Sequence, residues 1–240
     1  MAHFYLAAAL TEAGAELVGE EARHAVQVAR LRVGERVVVG DGAGRVADAE
    51  AVEVAKDRVA LRVLALRHEP APARRLVLVQ ALAKGGRDEA AIQAATELGV
   101  TAVVPWQAAR SITRWTGAKV ASGTERWASI VREAGKQSMR PWSAEVRPLV
   151  TTKDLEALAG TATVLLLEPT AERRLLEVDL PEDREVVLVV GPEGGIAPEE
   201  LDRLTAAGAT PVRLGPLVLR TSTAGPAALA ALAPHLGLWP

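Results

Sequence analysis

A short apolar run that ends in a glycine-rich loop restricts the fold more than any other feature. The run is 186–190, VVLVV, and the loop after it is Gly-Pro-Glu-Gly-Gly at 191–195. Consecutive apolar residues over this length are typical of a strand that is buried on both faces, as in a parallel sheet covered by helices. An ordinary turn needs one glycine. Three glycines with a proline and a carboxylate therefore indicate that a ligand approaches the backbone closely here.

From residue 74 onward, apolar strands alternate with helical patterns, which predicts an α/β domain with a parallel sheet. We predict strands at 76–82, 101–106, 162–168, 185–191 and 210–215, and helices at 87–98, 124–138, 198–208 and 224–236. Gly99 is expected to end the first of these helices and Thr124 to cap the second.

Residues 1–70 have a different pattern, which predicts a small β-rich domain with one helix at 20–31. Strand-like runs occupy 45–54 and 57–63, and a further strand is expected to begin at 64. The proline-containing segment 67–75 is expected to link this domain, 1–70, to the second domain, 74–240.

Composition excludes several classes of protein and of site. The chain of 240 residues is 49% hydrophobic, so it can bury a core, and it has no cysteine for disulfides or thiolate metal sites. No apolar run approaches the ~20 residues that span a bilayer. The first residues lack a basic start, so no signal peptide is expected. The four histidines are scattered, so no catalytic metal is expected. These features favour a cytoplasmic protein.

Charge is distributed unevenly along the chain. Residues 71–147 contain twelve Lys/Arg and six Asp/Glu, whereas residues 148–240 contain seven and thirteen. A basic middle segment favours contact with a polyanion such as RNA. The alternative is that these arginines lie on solvated helix faces, and charge alone does not decide between the two.

Three predicted strands end in unusual sequences, at 165–169, 190–195 and 213–225. In open parallel sheets, ligands bind beyond the carboxyl ends of the strands. Taken singly, the glycine loop is better interpreted as a tight turn and Thr-Ser-Thr as a helix cap. The two together, at neighbouring strand ends, favour a ligand site. No Walker A sequence and no Gly-x-Ser-x-Gly elbow occurs, and GDGAGR at 40–45 lacks the final glycine and the helix of a dinucleotide loop.

Two C-terminal segments resemble the motifs of the SPOUT superfamily of methyltransferases. They are GPEGGIAPEEL at 191–201 and LGPLVLRTSTAGPAAL at 214–229. The similarity is greatest to the RsmE-like group, which methylates N3 of a uridine in 16S ribosomal RNA. Segments 24–44, 81–106 and 125–140 also resemble that group, in the expected order.

The resemblance implies a PUA-like RNA-binding domain at 1–70 and a SPOUT α/β domain with a deep trefoil knot at 74–240. It also implies S-adenosylmethionine as the methyl donor, S-adenosylhomocysteine as the product, and 16S rRNA as the partner, either free or in the assembled small subunit. The working form is expected to be a homodimer.

The resemblance further assigns roles to individual residues. Arg220 is expected to stabilise negative charge on the uracil carbonyl oxygens, and Glu193 is a candidate base, with a turn carboxylate as the alternative. The residues expected to hold the cofactor are Leu167, Glu168, Gly191, Pro192, Gly194, Gly195, Ile196, Leu214, Gly215, Leu219, Arg220, Thr221 and Thr223. Those expected to contact RNA are His24, Arg30, Arg32, Lys84, Arg110 and Arg140, each of which alone also reads as a surface residue.

Two positions depart from the group's pattern. Ser222 stands where the group usually has an acidic residue, and His3 stands before Phe4 where an arginine is usual. Ser222 leaves a non-catalytic RNA-binding assembly factor as an alternative. Because related SPOUT enzymes act on 2′-hydroxyls or on guanine N1, these targets are a second alternative. The β-rich first domain and the Glu97–Val100 segment favour the uridine-N3 group, and the intact loop glycines favour catalysis.

Overall fold

The structure is a computed structural model of the chain that describes residues 3–239. It divides into two compact units. The first contains the described residues up to Ala73 together with Gly135–Ser143, and the second contains Arg74–Ala134 and the described residues from Ala144 onward.

The first unit is built on a six-stranded sheet with the order β1-β4-β5-β6-β3-β2. The strands are β1 (Phe4–Leu6), β2 (Ala9–Leu10), β3 (Gly14–Val18), β4 (Arg36–Gly40), β5 (Arg45–Val54) and β6 (Arg58–His68). Strands β1 and β4 pair in parallel, and the other neighbours pair antiparallel. The runs predicted at 57–63 and from 64 onward are one continuous strand, β6. The hydrophobic core of the first unit includes Tyr5, Leu17 and Val39.

The predicted helix at 20–31 is shorter than expected. Helix α1 (Gly19–Arg23) continues as a π-helical turn, His24–Val28. Arg30 then adopts the left-handed conformation with φ of 55°, and the Leu31 N–H donates to the Ala25 carbonyl over 2.9 Å. A left-handed residue is a common way to end a helix, and here an arginine takes the place that glycine usually holds.

The segment Gly135–Ser143 packs within the first unit although it lies far along the chain from the sheet. The Gly44 N–H donates to the Pro141 carbonyl over 3.0 Å, and the Trp142 indole N–H donates to the Glu69 carbonyl over 3.0 Å. The Lys136 ammonium pairs with Glu21 at 2.8 Å. This segment therefore braces the turn between β4 and β5.

The second unit is a parallel sheet with the order β12-β10-β11-β7-β8-β9. The strands are β7 (Leu76–Ala81), β8 (Ala102–Trp106), β9 (Glu145–Val146), β10 (Thr163–Leu167), β11 (Val186–Val190) and β12 (Thr210–Val212). The helices are α2 (Arg87–Glu97), α3 (Ala118–Gln137), α4 (Thr152–Ala159), α5 (Pro198–Ala206) and α6 (Thr221–His235), with a 3₁₀ turn at Leu175–Glu177.

Helices cover both faces of this sheet, as the continuous apolar runs predict. Leu188 packs in one core with Trp127 and Leu229, while Val189 packs in another with Trp106 and Leu204. All five residues of β11 are buried. The parallel, doubly covered sheet is therefore confirmed.

Two predicted helix starts are wrong. Helix α3 begins at Ala118, so Thr124 lies inside the helix, where its hydroxyl donates to the Val120 carbonyl over 2.8 Å instead of capping. Helix α6 begins at Thr221, one turn earlier than predicted. Within residues 3–239, no helix combines the length and the apolar character needed to cross a membrane.

Candidate functional site

The carboxyl ends of β10, β11 and β12 border a cavity of about 510 Å³. This volume is typical of a small-molecule site, and the location is where ligands bind in open parallel sheets. The wall includes most of the predicted cofactor residues, namely Leu167, Glu168, Gly191, Pro192, Gly195, Ile196, Leu214, Gly215, Leu219, Arg220 and Thr221. Glu193 also lines it, whereas Gly194 and Thr223 lie outside the wall.

The loop at residues 191–195, here called the GPEGG loop, folds tightly on itself. The Gly195 N–H donates to the Pro192 carbonyl over 2.9 Å. A Cβ atom on Gly191 would lie 2.9 Å from the backbone nitrogen of Ile196, so this glycine is required by the loop itself. Gly195 has φ of 72°, and a Cβ there would meet no atom within 4 Å. Gly195, rather than Gly191, therefore leaves space for a ligand.

Side chains from other segments hold the GPEGG loop. One Glu193 carboxylate oxygen accepts from the Lys84 backbone N–H at 3.0 Å and from the Arg87 guanidinium at 2.7 Å. The Arg110 guanidinium donates to the Gly194 carbonyl over 2.9 Å. Desolvation raises the pKa of Glu193, but hydrogen bonds from its own N–H, Arg87 and Lys84 outweigh it and hold the pKa below its ordinary value. These contacts indicate that the Glu193 carboxylate holds the loop in place, here called the clamp, rather than acting as a general base.

Helix α6 is joined to the same loop at its first residue. The Thr221 hydroxyl is buried and donates to the Gly191 carbonyl over 2.7 Å. The beginning of α6 is therefore fixed to the end of β11. Ser222 follows in the first helical turn, half-buried, in place of the acidic residue that the resemblance leads one to expect.

The residues between β12 and α6, Leu214–Leu219, form a second loop of different character, here called the 214–219 loop. Among residues 3–239, no hydrogen-bond partner is found for its backbone N–H and C=O groups. Leu217 and Val218 are 75% and 78% exposed, although both line the cavity. The loop therefore offers the cavity a row of unpaired backbone donors and acceptors beside apolar side chains.

Positive charge surrounds the cavity. Lys84, Arg87, Arg213 and Arg220 line it, against the carboxylates Glu168 and Glu193. Arg87 is committed to Glu193, and Arg213 donates to the Ala171 carbonyl over 3.0 Å. Arg220, exposed just before α6, has no hydrogen-bond or ion-pair partner for its guanidinium within the described residues. It is therefore available to an anionic ligand.

The predicted RNA contacts are divided between the two units. Lys84 and Arg110 belong to the second unit, and His24, Arg30, Arg32 and Arg140 belong to the first. Arg30 and Arg32 are exposed. His24 is half-buried, with its ring 6.0 Å from that of Tyr5 and its Nδ1 atom buried without a partner, so it is not a plain surface histidine. Desolvation lowers the pKa of Arg140, which donates to the Trp142 carbonyl over 3.2 Å.

Several residues of the cavity wall are not among those predicted from the sequence. Arg87, Ile112, Arg213, Leu217 and Val218 line the wall but were not predicted there. Arg213, Leu217 and Val218 lie within the segment 213–225, which was expected to border a ligand site, although they were not named individually. Arg87 and Ile112 come from distant segments of the chain, and no sequence pattern connects them with the site. Across residues 3–239, no three His, Asp or Glu side chains come together in a way that would hold a metal ion.

Comparison with known families agrees with this architecture. A model of the RNA methyltransferase domain matches residues 69–233, and a model of the RNA methyltransferase PUA domain matches residues 17–64. The chain therefore belongs to the RNA methyltransferase family. A PUA-like first domain followed by a SPOUT-type α/β domain, as predicted, is confirmed.

Within this family, the chain is similar to proteins named ribosomal RNA small subunit methyltransferase E. That of Mycobacterium tuberculosis is 42% identical over 95% of this chain and 89% of its own. That of Bacillus subtilis is 32% identical over 90% and 88%. The crystal structure of the Neisseria gonorrhoeae protein bound to S-adenosyl methionine superposes with a TM-score of 0.88 at 29% identity, covering 100% of this chain and 98% of that one. The resemblance seen in the sequence is thus confirmed.

Proposed function

We propose that this protein transfers a methyl group from S-adenosylmethionine to N3 of a uridine in 16S ribosomal RNA. The observation that carries the proposal is the cavity at the ends of β10, β11 and β12, walled by the two recognised motifs. Two comparisons also support the proposal. The chain is 42% identical to a protein named ribosomal RNA small subunit methyltransferase E, and its fold is similar to that of a protein crystallised with S-adenosyl methionine.

The cavity wall fits this cofactor in polarity and in shape. Leu167, Ile196, Leu214 and Leu219 supply apolar surface for the adenine ring, and the unpaired groups of the 214–219 loop match the donors and acceptors at its edge. A Cβ on Gly195 or Gly215 would meet no protein atom within 4 Å, so both leave room. When bound, S-adenosylmethionine supplies a methyl group on a positively charged sulfur.

Arg220 is the residue to which we assign charge stabilisation. Uracil N3 carries a proton at neutral pH. As that proton passes to solvent, negative charge spreads onto the carbonyl oxygens, and N3 forms its bond to the methyl carbon while the bond from that carbon to sulfur breaks, which leaves S-adenosylhomocysteine. An unpaired guanidinium at the cavity is suited to stabilise these oxygens. Glu193 is less suited to accept the proton because Arg87 and Lys84 hold its pKa low. Ser222 has no carboxylate and therefore supplies no base at that position.

RNA binding would depend on basic residues of both units. A base in folded RNA must be splayed from its stack to reach a cavity. Lys84 and Arg110 of the second unit, and His24, Arg30, Arg32 and Arg140 of the first, are proposed to bind phosphates or neighbouring bases. Because phosphate contacts release counterions, binding is expected to weaken steeply as salt rises.

The resemblance supports further properties that belong to the same proposal. These are a trefoil knot in the second unit, a homodimer as the working form, a cytoplasmic location, and a substrate that is either free 16S rRNA or the assembled small subunit. Sedimentation velocity at several concentrations checks the dimer, and a monomer at every concentration would contradict it.

Transfer of radioactive label tests the proposal directly. The purified protein is incubated with tritiated S-adenosylmethionine and with small ribosomal subunits, or naked 16S rRNA, that lack the modification. The RNA is then digested to nucleosides. Label in 3-methyluridine is expected. Label in a 2′-O-methyl nucleoside or in 1-methylguanosine would overturn the target, and absence of both label and cofactor binding would favour a non-catalytic assembly factor.

A further inference from the structure

A single polar side chain interrupts the most deeply buried strand of the second unit. Gln80 lies in β7 between β11 and β8, opposite Val190 and Pro105, and its exposed fraction is 0%. The other residues of β7 are all apolar and buried. An amide in such a place lowers stability unless its groups find partners, so its presence needs a reason.

The Gln80 amide is the first member of a buried hydrogen-bond chain. Its Nε2 donates to the Thr221 hydroxyl oxygen over 2.8 Å, and that hydroxyl donates to the Gly191 carbonyl over 2.7 Å. The carbonyl can only accept, so the single hydroxyl proton must point toward Gly191. The hydroxyl oxygen can then only accept from Gln80, which fixes the orientation of the amide.

The same orientation leaves the Gln80 Oε1 atom buried without a partner. An apolar side chain of similar length would avoid that cost and would leave no donor unpaired, because Thr221 would still donate to Gly191. It would give up only the longer bond from Nε2 to the Ala81 carbonyl, 3.2 Å, which lies within β7 and does not reach the cavity wall. The amide is therefore not explained by the stability of the sheet.

The hydrogen-bond chain ends on two segments of the cavity wall. Gly191 opens the GPEGG loop, and Thr221 opens α6 directly after Arg220. One turn later, a Cβ on Gly225 would lie 2.8 Å from the Leu78 side chain, so α6 also packs closely on β7. Side-chain packing sets the distance between helix and sheet, while the hydrogen-bond chain sets the position of the helix start relative to the loop.

We propose that Gln80 is a positioning residue, which acts through the Thr221 hydroxyl to align the GPEGG loop and the start of α6 for cofactor binding. This inference rests on the proposed function. No residue of β7 lines the cavity, so the inference gives this strand an indirect role in the site.

The test compares Gln80→Met, which keeps the length of the side chain and removes the hydrogen bonds, with the wild type. We expect the variant to melt at an unchanged or higher temperature, yet to bind S-adenosylmethionine about tenfold more weakly by calorimetry, as is typical of one lost hydrogen bond that orders a site. Thr221→Val should reproduce the loss and Thr221→Ser should restore most of the affinity. A Gln80→Met protein that melts lower and binds normally would overturn the inference in favour of a merely structural role.

A measurement without cofactor separates this inference from the proposed function. Amide hydrogen exchange in residues 191–196 and 220–224 should be faster in Gln80→Met than in the wild type, with the rest of the second unit unchanged. Unchanged exchange in both segments would overturn the positioning role. If the wild type fails to bind S-adenosylmethionine at all, the proposed function fails, and the exchange result alone decides the role of Gln80.

Discussion

The GPEGG loop and the 214–219 loop lie at neighbouring strand ends, but they are held very differently. Glu193, Arg110 and Thr221 tie the first to surrounding segments. The second has unpaired backbone groups, and its apolar side chains Leu217 and Val218 are exposed. Both line the same cavity.

This difference indicates a division of labour in the site. The GPEGG loop is already held in one conformation, so little conformational entropy is lost there when a ligand binds. The 214–219 loop has groups that only water or a ligand can pair, so it is the part that binding should order. The two loops can be tested separately.

The largest effect on cofactor binding is expected from Gly195→Trp, which puts a large side chain into the GPEGG loop. The residue has positive φ and opens onto the cavity, so the indole strains the backbone and occupies the space for the ligand. We expect S-adenosylmethionine binding to weaken by at least about a hundredfold, or ~3 kcal/mol, in calorimetry. Gly99→Trp is the matched control, since Gly99 also has positive φ and open surroundings but lies after α2. Equal cofactor binding by Gly195→Trp and the wild type would remove this loop from the site.

Arg220→Ala should affect turnover more than cofactor binding. The guanidinium has no described protein partner, so its loss should leave the fold intact and remove stabilisation of the developing charge. Loss of one such donor typically lowers kcat by about 10²–10³-fold. Steady-state methyl transfer, with Arg173→Ala as an exposed control, measures the effect. Full turnover by Arg220→Ala would refute the assignment.

Glu193→Gln tests the clamp on the GPEGG loop through its dependence on pH. The pKa of Glu193 is below its ordinary value in the folded protein, so the ionised clamp stabilises the fold above the unfolded-state pKa. That contribution is lost as the pH falls through the folded-state pKa. Because Arg87 is 39% exposed and Glu193 22%, the gain is at most about 1 kcal/mol.

Denaturant unfolding of Glu193→Gln and wild type at neutral and acidic pH measures this contribution. The two proteins should differ near pH 7 and converge in acid. A difference that grows in acid would contradict the clamp.

The smallest effect on stability is expected in the 214–219 loop. Val218→Ser replaces a side chain that is 78% exposed, so the free energy of unfolding should change by no more than about 0.5 kcal/mol. Cofactor affinity should nevertheless fall, because the lost side chain lines the cavity. The contrasting variant is Ile196→Ser. The Ile196 side chain, directly after the GPEGG loop, is only 6% exposed, so its replacement should clearly destabilise the fold. Equal destabilisation by both would contradict the contrast between the loops.

Much of the second unit could be predicted from the sequence because burial on both faces leaves a direct trace. Strands such as β7 and β11 are nearly continuous apolar runs, and their boundaries fall within one residue of the prediction. The loops were found by their unusual glycine content and by their resemblance to a known family. Helix α4 was missed although Thr151 and Asp154 form a capping box that is visible in the sequence.

Other features could not be predicted because they join residues far apart in the chain. Glu193 meets Arg87 across 106 positions, and Gln80 meets Thr221 across 141. The packing of Gly135–Ser143 in the first unit is of the same kind. Periodicity describes how an element buries its own face, but it does not contain the identity of the distant partner.

The measurement that tests the account most directly is amide hydrogen exchange of the wild-type protein with and without S-adenosylmethionine. We predict that residues 214–219 exchange fast alone and become strongly protected with the cofactor, while the Gly195 amide, which donates to the Pro192 carbonyl, is protected in both states. Equal protection of 214–219 with and without cofactor, under conditions where calorimetry shows binding, would contradict the assignment of this loop and of the cavity it lines.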